Sequence, residues 1–109
     1  MNRVFKLDKS FEDLDLLVVE WAREKGILQV ADAKSQALKM VSEVGELCDA
    51  VAKGDMVNII DGLGDVAVTL IILAELQGLD LTECLEVAYG VIKERKGAMR
   101  GGVFVKEAE

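Results

Sequence analysis

One run of the sequence limits the fold more than any other: residues 66–74 read VAVTLIILA, and only Thr69 among them is polar. A helix that is apolar on every side must be covered on every side. The run is far too short to span a membrane, which takes about 20 residues. Either the remaining helices and the termini cover this helix, or other copies of the chain complete the cover. We expect the second, a homo-oligomer, because a chain of 109 residues has few helices with which to surround one of its own.

The length suits a single domain, residues 1–109, with a helical body over about 10–96 and an extended tail over 97–109. The chain has no proline, so long helices can run without interruption. Apolar periodicity and turn residues predict four helices: from a Ser10 cap to Gly26, about 33–52, about 56–76, and from Asp80 or Leu81 to about 96. Residues 27–34 are expected to be a connection, and RVF (3–5) and VFV (103–105) to be short extended pieces. The predicted fold class is all-α, a four-helix bundle completed by oligomerisation.

Composition excludes several classes of function. With 20 acidic and 13 basic residues the net charge is −7, which argues against binding to the nucleic-acid backbone. The absence of histidine removes a histidine general base, a Ser-His triad and a histidine-based zinc site. Cys48 and Cys84 stand apart in apolar surroundings and are interpreted as reduced core residues. The N-terminus has no apolar segment of a secretory signal, so we expect a cytoplasmic protein that does not bind a membrane.

Two pairs of acids have helical spacing. Glu43 and Glu46, in EVGE, lie three apart, and Asp61 and Asp65, in DGLGD, lie four apart, so each pair shares one face of its helix. The short turn KGD (53–55) between the two helices makes them antiparallel neighbours. The four carboxylates can therefore converge on one small volume. The alternative is that each pair is an ordinary solvated face in an acidic chain.

Glycines lie beside these acids, at Gly45, Gly62 and Gly64. A glycine inside a helix costs about 1 kcal/mol relative to alanine. Their presence favours a close approach of helices or of a ligand. Alternatively, DGLGD (61–65) is a kink or a loop rather than helix.

Oxygen donors without histidine or cysteine suit a hard cation, Mg²⁺ or its substitute Mn²⁺, and hence phosphoryl or nucleotidyl chemistry. Basic residues that could hold phosphates follow in IKERKG: Lys93, Arg95 and Lys96. Favourable charge at a helix C-terminus explains them equally well.

The segments EVGE, IIDGLGDVAVTLI and YGVIKERKGAM together resemble the MazG-like, all-α nucleoside triphosphate pyrophosphohydrolases. The general motif of that family is ExxE, a spacer, ExxD and a basic segment. The resemblance implies helical oligomers, often dimers or tetramers, and Mg²⁺ held by the acids. It also implies hydrolysis of a nucleoside triphosphate or its deoxy form to the monophosphate and pyrophosphate.

By this resemblance Glu43 and Glu46 match ExxE and Asp65 matches the last position of ExxD, while Lys93, Arg95 and Lys96 match the basic segment. Gly62 stands where the motif has glutamate, and we expect Asp61, on the same face as Asp65, to replace that carboxylate. Gly90 stands near a position where many relatives have asparagine.

The resemblance also suggests roles in the reaction. Glu43 or Glu46 is expected to position and deprotonate a water that attacks the α-phosphorus, and the basic segment to stabilise the leaving pyrophosphate. Trp21 is a candidate for stacking on the base, with Gln36 and Lys39 near the sugar or base; a tryptophan in the core is the alternative. A rival interpretation is a non-enzymatic oligomeric adaptor or regulator that keeps the scaffold, and a metal-binding protein without turnover lies between the two.

Overall fold

The structure is a computed structural model that describes residues 7–108. In chain order its elements are the helices α1 (Phe11–Glu24), α2 (Ile27–Val30), α3 (Ala33–Lys53), α4 (Met56–Leu76) and α5 (Leu81–Ile92), followed by the strands β1 (Gly97–Arg100) and β2 (Val103–Lys106). The all-α fold class is confirmed, and α1, α3, α4 and α5 are the four expected helices.

The structure departs from the predicted elements, or does not reach them, in several details. Residues 27–30 form the short helix α2, where the sequence predicted only a connection. The last helix ends at Ile92, earlier than the expected 96, and the expected extended piece at 103–105 lies in β2. The other expected extended piece, residues 3–5, lies outside the described residues. Cys48 and Cys84 are both exposed, so the prediction that they are core residues is wrong.

Local capping fixes where the helices begin. At α1 the Ser10 hydroxyl accepts a hydrogen bond from the Asp13 amide at 3.0 Å, and the Asp13 carboxylate accepts one from the Ser10 amide at 3.1 Å. This reciprocal pair is a capping box. The helices α3, α4 and α5 each follow an aspartate cap, Asp32, Asp55 and Asp80 respectively. Such caps satisfy amide groups that have no partner within the helix.

The antiparallel pair of α3 and α4 is the most extensive helix packing in the described chain. Gly54 makes the turn between them with φ +68°, a left-handed conformation that favours glycine. Midway along the pair, a Cβ added at Gly62 would lie 3.2 Å from the Leu47 Cβ and 3.3 Å from its Cα. Farther along, the Gln36 side-chain amide donates to the Thr69 carbonyl at 3.2 Å. These contacts fix the register of α3 against α4.

The apolar helix α4 lies at the centre and packs against α1, α2, α3 and α5. Within residues 66–74, Thr69, Ile71, Ile72 and Ala74 are buried and the others are half-buried. One chain thus supplies much of the cover that we expected from other copies, so this run does not by itself require an oligomer. By length and composition alone α4 could cross a membrane, a test that the core helix of a soluble bundle also passes.

Helix α5 is attached through its first turn. The buried carboxylate of Asp15, on α1, accepts hydrogen bonds from the Thr82 hydroxyl at 2.8 Å and the Thr82 amide at 3.2 Å. A carboxylate is favourable at a helix N-terminus. All residues from 83 to 108 are exposed, so α5 leaves the bundle after this turn.

The strands β1 and β2 form an antiparallel hairpin that pairs Gly97 with Lys106 and Arg100 with Val103. Neither strand packs on a helix within residues 7–108. The radius of gyration is 16.2 Å, whereas a compact chain of this length has about 13 Å. Helix α5 and the hairpin therefore form an arm that projects from the bundle.

Candidate functional site

A groove of about 280 Å³ lies between α3 and α4 near their connecting turn. We call it the acidic groove because five carboxylates line it: Glu46, Asp49, Asp55, Asp61 and Asp65. Three of the four predicted metal ligands are among them. Asp49, three residues after Glu46, and Asp55, in the KGD turn, also line the groove but were not among the predicted site residues.

The fourth predicted ligand, Glu43, is largely covered, with 12% of its side chain exposed. Its carboxylate lies 3.0 Å from the ammonium group of Lys39, one helical turn earlier on α3. Hydrogen bonding to Glu43 and the charge of Glu43 raise the pKa of Lys39, with smaller contributions from Glu46 and Asp65. The negative charges of acids on both helices therefore act on Lys39.

The two acid pairs influence one another across the helix pair. Partial desolvation, followed by the negative charges of Asp61 and Glu43, raises the pKa of Asp65 above the ordinary value for aspartate. The positive charge of Lys39 opposes this shift. Asp65 on α4 thus lies within electrostatic reach of Glu43 on α3, as antiparallel packing about the Gly54 turn requires.

The donor set fits a hard cation. In the described part of the chain, no three acidic or thiol groups come close enough together to form a ready-made metal cluster. Mg²⁺, however, commonly binds through one or two carboxylates and keeps several waters. Glu46, Asp61 and Asp65 are exposed, so no packing holds their carboxylates apart.

The structure does not bring the basic segment to this groove within one chain. Lys93 follows the last turn of α5, Arg95 and Lys96 come next, and all three are exposed. No Cα atom of α5 lies within 8 Å of one in α3. Lys96 instead lines a separate concave surface with Arg100 and Lys106 of the hairpin.

The other expected substrate residues have different surroundings. Trp21 is 46% exposed on α1, a helix with no Cα atom within 8 Å of α3. Gln36 is buried, and its amide nitrogen is bonded to the Thr69 carbonyl. Gln36 is therefore a core residue that ties α3 to α4, which differs from the expected contact with a sugar or base. Lys39 alone of these three lies beside the predicted ligands.

The glycines also separate into two groups. Residues 61–65 lie within α4, so DGLGD is helical rather than a loop. A Cβ added at Gly62 would meet Leu47, whereas one added at Gly45 or Gly64 would meet nothing within 4 Å. Only Gly62 among these three permits the close approach of helices. Gly62 and Asp61 both line the acidic groove, but a side chain at position 62 would begin against Leu47 of α3.

Comparison with known proteins gives the family. The family model described as the MazG nucleotide pyrophosphohydrolase domain matches residues 31–99, which include α3, α4 and α5. The chain is also 33% identical over 63 residues to an uncharacterized 18.2 kDa protein from the rep-hol intergenic region of Haemophilus phage HP1 (strain HP1c1). That match covers 58% of this chain and 39% of the phage protein, so the chain spans about two fifths of the relative. The family match confirms the resemblance in the sequence: the chain belongs to the MazG nucleotide pyrophosphohydrolase family.

Proposed function

We propose that this protein is a Mg²⁺-dependent nucleoside triphosphate pyrophosphohydrolase, with Mn²⁺ as a substitute metal. Its reaction is hydrolysis of a nucleoside or deoxynucleoside triphosphate to the monophosphate and pyrophosphate, as part of nucleotide-pool housekeeping. The observation that carries the proposal is the juxtaposition of the acid pairs of α3 and α4: Glu46 of α3 and Asp61 and Asp65 of α4 line one groove.

Glu43, Glu46, Asp61 and Asp65 are the residues that would hold the metal. Bound there, Mg²⁺ would neutralise phosphate charge that the acidic groove otherwise repels. Asp61 supplies the carboxylate that the family motif places at position 62, because position 62 is taken up by the contact with Leu47.

The chain's own residues then perform the hydrolysis. Glu46, exposed in the groove, or Glu43 accepts a proton from a water that attacks the α-phosphorus. The bond from the α-phosphorus to the bridging oxygen breaks, and pyrophosphate leaves. Lys93, Arg95 and Lys96 stabilise the charge on the leaving group.

A homo-oligomer, a dimer or a tetramer, is part of the proposal. The arm exposes large apolar side chains, among them Leu85, Val87 and Tyr89 on α5 and Phe104 on β2. An apolar surface of this kind is typical of a protein interface. Because the basic segment does not face the acidic groove of its own chain, we assign it to the groove of a second copy.

The remaining partners follow from charge and chemistry. The substrate is a nucleoside triphosphate, with Lys39 and Trp21 as candidate contacts to its sugar or base. The net charge of −7 opposes binding to nucleic acid. We place the protein in the cytoplasm, where nucleotide pools are found, without a membrane partner.

The test is pyrophosphate release from a panel of ribo- and deoxynucleoside triphosphates, measured with Mg²⁺ and with excess chelator. We expect Mg²⁺-dependent release of pyrophosphate together with the monophosphate, and its loss in Asp65→Asn. Release of inorganic phosphate with a diphosphate product would contradict the assigned bond cleavage. Absence of turnover on every nucleotide would contradict the enzyme assignment.

A non-enzymatic adaptor or regulator is the second candidate. It is favoured by Gly62 and Gly90, which lack side-chain ligands, and by the open space around Gly90. Calorimetric titration distinguishes it: an adaptor binds neither Mg²⁺ nor Mn²⁺, even with a nonhydrolysable nucleotide. A metal-binding protein without turnover binds the metal but releases no pyrophosphate.

A further inference from the structure

Among residues 7–108, Lys39 is the cation that forms an ion pair with a predicted metal ligand. Its ammonium group lies 3.0 Å from the Glu43 carboxylate, and 61% of the Lys39 side chain is exposed against 12% of the Glu43 side chain. A carboxylate with so little access to water needs a partner for its charge. Lys39 provides that partner from the solvent side of the helix.

A second ion pair on the same helix gives the comparison. Lys53 and Asp49 have the same spacing of four residues and lie 2.8 Å apart, but both side chains are more than 60% exposed. In that pair the acid precedes the lysine, which is the favourable order along a helix. In the pair of Lys39 and Glu43 the order is reversed. Helix stabilisation therefore explains the pair of Asp49 and Lys53 better than the pair of Lys39 and Glu43.

We propose that Lys39 is a built-in counter-ion of the metal site: its ammonium group pairs with Glu43 until a divalent cation binds that carboxylate, and then leaves it. The inference rests on the proposed function, because it requires Glu43 to be a metal ligand. Ammonium and metal compete for the same carboxylate oxygens. Since the Lys39 side chain is mostly exposed, it can turn away without disturbing the packing of α3 on α4.

The competition has two consequences. Without metal, Lys39 limits the repulsion among Glu43, Glu46 and Asp65, all of which act on its own charge. With metal bound, the freed ammonium group is available beside Glu43 for an anionic substrate. The same side chain thus weakens metal binding by the free protein and adds positive charge once metal is present.

The experiment is a calorimetric titration of the full chain with Mn²⁺, without nucleotide and at about 0.15 M ionic strength, where charges are screened over about 8 Å. We expect Lys39→Gln to bind Mn²⁺ about three- to tenfold more tightly than the wild type, because no ion pair has to break. Lys39→Arg keeps the charge and should bind as the wild type does. Lys34→Gln removes the same charge from an exposed position on the same helix, outside the lining of the acidic groove, and should change the affinity by about twofold or less.

Thermal melting gives a second measurement. Metal-free Lys39→Gln should melt below the wild type, and saturating Mn²⁺ should raise its melting temperature by more, since tighter binding stabilises the folded state further. Equal or weaker Mn²⁺ binding by Lys39→Gln would overturn the inference, as would the same increase in affinity in Lys34→Gln. If the wild type binds Mn²⁺ and Lys39→Gln matches it, only the counter-ion role fails. If none of these proteins binds Mn²⁺, the metal assignment of the proposed function fails with it.

Discussion

Replacing Gly62 with alanine tests whether the close approach of α3 and α4 builds the acidic groove. An alanine in a helix is about 1 kcal/mol more favourable than a glycine. At Gly62 the new methyl group would lie 3.2 Å from the Cβ of Leu47 and 3.3 Å from its Cα. Overpacking of this kind typically costs about 1–3 kcal/mol. The net effect of Gly62→Ala should therefore range from about zero to a loss of about 2 kcal/mol in the free energy of unfolding.

Gly64→Ala is the matched control, because it lies on the same helix with nothing within 4 Å of the added Cβ. It should gain about 1 kcal/mol, which raises the melting temperature by about 4–8 °C in a domain of this size. Urea unfolding of both variants measures the difference, expected to be about 1–3 kcal/mol. Gly62→Ala should also weaken Mn²⁺ binding, because the methyl group pushes the helices apart. Equal stabilisation by the two substitutions would refute the reasoning.

Two further predictions concern assembly and charge. Light scattering should show a dimer or tetramer at micromolar concentration. Val87→Asp, on the exposed face of α5, should dissociate this oligomer. Ile72→Asp should instead unfold the chain, because Ile72 is only 4% exposed and an unpaired buried charge is costly. A folded monomer in the wild type would contradict the predicted oligomer. Carbon-detected NMR titration should give Asp65 a pKa above the ordinary aspartate value, and Asp61→Asn should lower it. Because the folded-state pKa of Asp65 is raised, its ionised form opposes folding, so its contribution to metal-free stability should improve as pH falls from neutral through that pKa.

The helices could be predicted from the sequence because their signals are local. Both ends of α3 and the start of α4 depend on the Asp32 and Asp55 caps and on Gly54, which adjoin the helices they delimit. Helix α2 has only four residues, too few for a periodic apolar pattern. The acid pairs were also recognisable, since spacings of three and four residues place side chains on one helix face.

The features that could not be predicted from the sequence are tertiary contacts. The hydrogen bonds that attach α5 join Asp15 to Thr82, which are 67 residues apart. Nothing near either residue indicates the contact, so the departure of α5 from the bundle, and of the basic segment with it, was not predictable. The role of Gln36 was unpredictable for the same reason. Nothing in the sequence near this polar residue indicates that its side-chain amide donates to the Thr69 carbonyl in the core.

Asp61 is the residue on which this chain departs from the family motif, and its substitution separates two accounts of the site. If Asp61 supplies the missing carboxylate, Asp61→Asn should reduce turnover about as much as Asp65→Asn, on the order of a hundredfold or more. The metal-free protein should be equally stable or slightly more so, because the change is nearly isosteric and removes one of several like charges. Adding Gly62→Glu to Asp61→Asn restores the ExxD motif in the sequence. A side chain at position 62, however, begins 3.2 Å from Leu47 and is directed at α3. We therefore expect no rescue and a lower melting temperature in the double variant. Substantial recovery of pyrophosphate release would show that position 62 reaches the metal after all, and full activity in Asp61→Asn alone would remove Asp61 from the site.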